Sequence, residues 1–347
     1  MGANRLGNGT IRVPIIFELF AITTKGDRMM GSNAKGAILA LMGFAVYSLH
    51  DVIIKVLGAS YQPAQILFFS VLLGFPLTTV MLIRDSSGES LKPRRPLWTW
   101  IRTVAVCVTG LSAFYAFSKL PLAQTYAIIF ATPLLITVLS IPILSETVRL
   151  RRWAAVIVGL MGVMVVLRPG ETELGLGHLA ALVAAFSSAI ASIIVRKIGH
   201  EERSIVLLLY PMLANFVIMG AWLPFIYEPM PGMHLAGLGA IAAMALIAMM
   251  CMIFAYKVGE AVVVAPMQYS QILWASLYGW FFFGESVDTA TMIGAAIIIA
   301  SGLYILFREG NSDASENTPV LRTRSRPETG TAPRVGAYLR RMNKRKK

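Results

Sequence analysis

His50 and Asp51 are adjacent ionisable residues inside an apolar stretch, and they are the first place in this chain where chemistry can be sought. An ionisable side chain held among apolar residues is costly and is retained for a role. Imidazole and a desolvated carboxylate both exchange protons within reach of physiological pH. Two readings stand. Asp51 and Lys55 are four residues apart, so on a helix they share a face and can pair as a structural ion pair, with His50 bonded to a neighbour. Alternatively, His50 and Asp51 contact a substrate or couple its movement to protons.

Other polar residues within apolar stretches are Tyr47, Gln124, Thr125, Tyr126, Gln268, Tyr269, Gln271 and Trp274, with Ser187 and Ser188 further along. Amide and hydroxyl groups at such depth need a partner, which is another helix, water or a cargo molecule. The two serines also suit close helix packing. Glu146 and Glu285 close apolar stretches and read as caps or ion-pair partners, as does Lys55. Pro133 and Pro266 lie inside such stretches and predict bends. His-Glu-x-x-His, P-loop and Gly-x-Ser-x-Gly patterns are missing, and the histidines at 50, 178, 200 and 234 are scattered. The expectation is therefore a non-enzyme without metal or cofactor, and an ATP-driven pump is disfavoured. Cys107 and Cys251 sit in apolar runs and read as small hydrophobes, with no disulfide.

The elements that must position these residues follow from composition. The chain has 347 residues, 56% hydrophobic and 14% charged, with a mean hydropathy of +0.67. That balance excludes an ordinary water-soluble protein. A spanning helix needs about 20 mostly apolar residues. Reading with that ruler gives ten candidate spans: Gly36 to Leu57, Pro63 to Ile83, Leu97 to Phe117, Leu122 to Leu144, Trp153 to Leu167, His178 to Ile198, Ser204 to Ile226, His234 to Val258, Ala261 to Gly284 and Val287 to Phe307.

The formal charge of +13 resolves into +3 over residues 1–35, +3 over 36–307 and +7 over 308–347. With no nucleic-acid motif beside it, this basicity excludes a nucleic-acid partner and becomes a topology signal. Placing the N-terminus in the cytoplasm puts 27 of the 31 Lys and Arg residues on the cytoplasmic side. Both termini are expected there, in a bacterial inner membrane, and the basic C-terminus can touch anionic lipid. The Asn8-Gly-Thr10 sequon is discounted on that topology. Translation starts at Met1 or at Met29/Met30; the opening stretch does not form a secretory signal.

Internal repetition organises the ten stretches. An offset of 141 sets Gly36-Ala-Ile-Leu-Ala-Leu on Gly177-His-Leu-Ala-Ala-Leu and Lys55 on Arg196. Offsets of 139 or 140 set Ser145-Glu146-Thr147 on Gly284-Glu285-Ser286 and Leu167-Arg168 on Phe307-Arg308. Each unit holds five spans, an odd number, so the second inserts upside down. The expected fold is an all-α integral membrane protein of ten transmembrane helices in two inverted five-helix repeats, over 35–170 and 171–308, with tails 1–34 and 309–347. In such an architecture the substrate site lies between the repeats near the midplane.

Over residues 36–308 the chain resembles the EamA-type permeases of the drug/metabolite transporter superfamily. The resemblance rests on the five-plus-five repeat and on Ala113-Phe-Tyr-Ala-Phe-Ser-Lys-Leu-Pro-Leu-Ala-Gln-Thr-Tyr126 leading to Pro133, Glu146, Trp153 and Gly159. In the second copy it rests on Phe254-Ala-Tyr-Lys257, Ala265-Pro-Met-Gln-Tyr269 and Phe283-Gly-Glu285. Similar proteins export amino acids and other metabolites, and some import riboflavin or S-adenosylmethionine. The resemblance thus implies a permease for a small organic metabolite, with the fourth and ninth spans around the central cavity. Alternating access follows from the inverted repeat, with protons as possible partners. A membrane enzyme, a lipid-handling protein and a non-transporting scaffold are the competing classes.

Overall fold

The computed structural model describes residues 32–84, 91–145, 148, 150–170, 173–199, 201–259 and 261–310. Glu146, His200, the sequon and both tails lie outside them. Twelve α-helices and one 3-10 helix account for nearly all of what is described. In the first half they are α1 (Ser32–Gly58), α2 (Pro63–Arg84), α3 (Pro96–Lys119), α4 (Leu122–Ile129), α5 (Thr132–Leu144) and α6 (Leu150–Leu167). The second half contains α7 (Leu176–Ile198), α8 (Ser204–Ile226), α9 (Gly232–Val258), α10 (Ala261–Val264), the 3-10 helix Ala265–Tyr269, α11 (Ser270–Phe283) and α12 (Thr289–Gly310).

Among the described residues, eight helical spans are long and apolar enough to cross a bilayer, with α4 and α5 together forming one of them. This makes the chain a multi-pass membrane protein. Of the two remaining expected spans, α2 (Pro63–Arg84) has the expected length. Residues 261–283 form three pieces, because Pro266 at the start of the 3-10 helix has no N–H for an α-helical bond. Pro133 likewise stands in the first turn of α5, just after the α4 helix stops at Ile129. Both expected bends are therefore breaks.

Packing pairs the halves in a mirrored way. α1 lies along α9 and α3 along α7; α5 meets α7 as α11 meets α1; α2 meets α8, and α6 meets α12. Small residues set these distances. A Cβ on Gly36 would stand 2.6 Å from the Gly259 Cα, and one on Gly162 would stand 2.9 Å from the Gly294 carbonyl oxygen. The two repeat-related stops, Ser145 and Gly284, both adopt left-handed backbone, with φ 57° and 63°. Gly284 takes this conformation without strain and lets Glu285 N–H close on the Gly279 carbonyl at 3.0 Å.

One pairing is not mirrored. α1 packs on α3, with Gly58 against Ser118, whereas α7 and α9 have no comparable contact among the described residues. The contact of Gly58 with Ser118 lies at the end of the bundle where α1 and α3 finish.

Candidate functional site

Three elements build a buried polar chain. Tyr47, His50 and Asp51 share a face of α1 through their spacing of three and four, and are 2%, 0% and 0% exposed. His50 Nδ1 lies 2.8 Å from Asp51 Oδ1. From α4, the Tyr126 hydroxyl donates to Asp51 Oδ2. From α11, Gln271 Nε2 donates to that hydroxyl at 3.3 Å. The chain Gln271–Tyr126–Asp51–His50 thus runs from the second half of the molecule into the first, within a shell that excludes water.

Aromatic rings frame it. Phe117 and Phe130 meet Tyr126 at ring-centre distances of 5.2 and 5.8 Å, and Tyr269 meets Phe130 edge-on at 5.3 Å. The Tyr269 hydroxyl fills a notch left by Gly302 on α12. Trp274 packs against the Tyr47 cluster and stacks with Tyr278. Gln268 lies half-exposed on the 3-10 helix and is not part of the polar chain. Ser188 is fully buried on α7 and Ser187 is 7% exposed. Gln124 meets His178 Nε2 at 3.2 Å, while Thr125 bonds back to the Pro121 carbonyl. Four buried polar atoms nearby have no hydrogen-bond partner: Ser48 Oγ, His50 Nε2, Ser270 Oγ and Trp274 Nε1.

The ion pair expected between Asp51 and Lys55 is replaced by a longer-range one. Lys55 Nζ stands 2.7 Å from Glu285 Oε1 and also donates to the Leu120 carbonyl. Glu285 Oε2 accepts from Leu122 N–H at 3.0 Å, and Lys55 lies over the Phe283 ring. The physical reason is reach. Lys55 is in the last turn of α1, where its flexible stem places the ammonium beyond the helix end, on the α3–α4 turn and the end of α11. Glu285 therefore joins the two halves as well as closing its own helix. Arg168 pairs with Asp288 at the same end, and Asp288 caps α12 through Thr291.

Sequence reasoning missed several bridges between the halves. Tyr61 meets His234 Nδ1 at 2.6 Å, and Gln65 makes two bonds to the Glu228 backbone. At the opposite end, Arg95 pairs with Glu201 at 2.6 Å, and that hydrogen bond holds its guanidinium further above the ordinary range. Lys197 donates to the Ile143 carbonyl and lies 4.2 Å from the Trp98 ring centre. These partners are more than 50 residues apart, so local spacing carries no sign of them.

The model of the EamA-like transporter family matches residues 34–168 and again 175–307. The chain is 25% identical to an S-adenosylmethionine uptake transporter of Rickettsia prowazekii, over 80% of this chain and 94% of that protein. It is 27% identical to a riboflavin transporter of Vibrio cholerae, over 69% of this chain and 85% of that protein. A solved crystal structure covering 81% of this chain and 99% of its own superposes with a TM-score of 0.54 at 19% identity, a likeness of fold.

Proposed function

This chain belongs to the EamA-like transporter family, and from that membership we propose that it is a secondary transporter moving a small organic metabolite by alternating access between two inverted repeats. The family and its relatives make it a transporter of small metabolites. The finer reading rests on one observation: a fully buried chain of polar groups spans the seam between the halves, with unpartnered polar atoms beside it. That is where an inverted-repeat transporter binds its cargo.

In this reading the end fastened by Lys55–Glu285 and Arg168–Asp288 is the outer end, and it is closed. The cytoplasmic end, where α7 and α9 stay apart, is the open one. Rocking the halves breaks the outer pairs and brings α7 to α9. Both termini are cytoplasmic in a bacterial inner membrane, and the driving force is a proton or substrate gradient. Aromatic rings around a few polar groups suit a flat or heterocyclic metabolite, in keeping with the cargoes named for the relatives. Purified protein in liposomes should move S-adenosylmethionine, riboflavin or another member of a metabolite panel down an imposed gradient, with no response to ATP. Absence of flux across a broad panel overturns the proposal.

A further inference from the structure

The polar chain has a direction, and that direction decides the chemistry of the atom left over at its end. The Gln271 amide donates to the Tyr126 hydroxyl, which spends its single proton on Asp51 Oδ2. Asp51 is thereby an acceptor, and its second oxygen faces His50 Nδ1 at 2.8 Å. A carboxylate acting as acceptor places the imidazole proton on Nδ1, as in any orienting Asp–His pair. In the neutral ring the other nitrogen, Nε2, is then a bare lone pair. That atom is buried and has no hydrogen-bond partner. Trp274 Nε1, which can only donate, is also buried and unpartnered, and its ring packs against the Tyr47 cluster on the same helix as His50. Each unpaired group costs stability as it stands, and a ligand would relieve both. Lys55, the cation one turn further along α1, is engaged by Glu285 and the Leu120 carbonyl.

We infer that His50 Nε2 is the docking acceptor for cargo, taking an N–H or O–H group from it, with Trp274 Nε1–H offered to an acceptor on the same molecule. The inference rests on the transporter reading and narrows it to a class of cargo: neutral or cationic metabolites that carry a hydrogen-bond donor. A bare carboxylate would meet the Nε2 lone pair beside the Asp51 carboxylate and be rejected. Asp51 and Tyr126 are positioning residues that act through the His50 tautomer.

The test uses the full chain in lipid nanodiscs with its four histidines labelled with ¹⁵N in the ring. The His50 signal is identified by its loss in His50→Gln or, should that variant misfold, by removing the other three histidines in turn. Wild-type His50 is expected to carry its ring proton on Nδ1, facing Asp51. Asp51→Asn, whose amide can donate to Nδ1, is expected to move the proton to Nε2. S-adenosylmethionine or riboflavin, whichever the wild-type protein transports, should shift the Nε2 resonance. That probe should bind at least tenfold more weakly to His50→Leu than to His50→Gln, which keeps an acceptor. An Nε2-protonated or doubly protonated His50 in the wild type overturns the inference, as does equal binding by His50→Leu and wild type. Absence of flux for any cargo defeats the transport reading separately, since the tautomer is read without cargo.

Discussion

α1 and α7 hold matching places in the two halves, each lying along the third long helix of the other half, yet only α1 carries an ionisable pair in its buried middle. The offset that sets Lys55 on Arg196 sets Tyr47 on Ser188, His50 on Ala191 and Asp51 on Ser192. Ala191 and Ser192 are 1% and 3% exposed, so α7 is as buried at this level as α1. Its small side chains let α3 and α5 come close. α1 reaches a similar closeness to α9 through Gly36 and Gly43, and keeps its middle for polar groups. Of this matched pair of helices, α1 alone carries the ionisable groups, while the second half contributes Gln271 to the polar chain. In the proposed reading, an inverted frame makes the two ends interchangeable, and an unequal pair of central helices would give the cargo one fixed contact while the frame rocks around it.

The largest expected effect breaks this inequality from the α1 side. Asp51→Asn moves the His50 ring proton to Nε2 and so removes the proposed docking acceptor, with an expected loss of about 2 kcal/mol, or roughly 30-fold in apparent cargo affinity. Ser192→Ala at the matching place on α7 should leave affinity within about twofold, about 0.4 kcal/mol, since Ser192 takes no part in the polar chain. Initial rates against cargo concentration in liposomes measure both. A comparable loss from Ser192→Ala would mean that the two helices share the site.

A smaller effect is expected where the halves are alike. α6 and α12 cross at Gly162 and Gly294, and a Cβ on Gly294 would stand 2.6 Å from the Gly162 carbonyl oxygen. Gly294→Ala should cost about 1–2 kcal/mol through overpacking, and Gly162→Ala a similar amount, because each meets backbone of the other helix. Thermal unfolding in detergent checks it. A cost from one glycine alone would show that this crossing is as unequal as the central helices.

The frame was legible in the sequence because spanning a bilayer demands long apolar stretches, and all ten stretches fall on described helices. The breaks at Ile129–Thr132 and Ala265–Tyr269 were legible only as bends, since Pro133 and Pro266 announce a lost hydrogen bond without saying how the chain resolves it. Of the site, Asp51, His50, Tyr126 and Gln271 were each visible as polar residues in apolar surroundings. Their joining into one chain was not, because Tyr126 and Gln271 are 145 residues apart. Lys55 shows the limit of local rules most clearly: spacing of four pointed to Asp51, while the ammonium of a terminal-turn lysine reaches whatever the fold brings past the helix end.

That reach sets the smallest effect. Lys55 and Glu285 are 13% and 19% exposed, so their attraction is screened less than at an open surface, yet both retain some contact with surroundings. A partly exposed pair is worth up to about 1 kcal/mol. A double-mutant cycle with Lys55→Met and Glu285→Gln should return coupling of that size in thermal unfolding, with part of the Glu285→Gln cost arising from the Leu122 N–H, which loses a charged acceptor. The same variants should favour opening at this end. A cysteine placed at Gln124, beside the small cleft that Glu285 lines, should then react faster with a membrane-impermeant thiol reagent, by roughly fivefold for 1 kcal/mol of lost closure. Arg196 is the repeat mate of Lys55 at the other end. If the pair is a gate, Arg196→Met should shift reactivity at Gln124 the opposite way; if Lys55 and Glu285 only brace the fold, both variants should lower thermal stability and leave that rate unchanged.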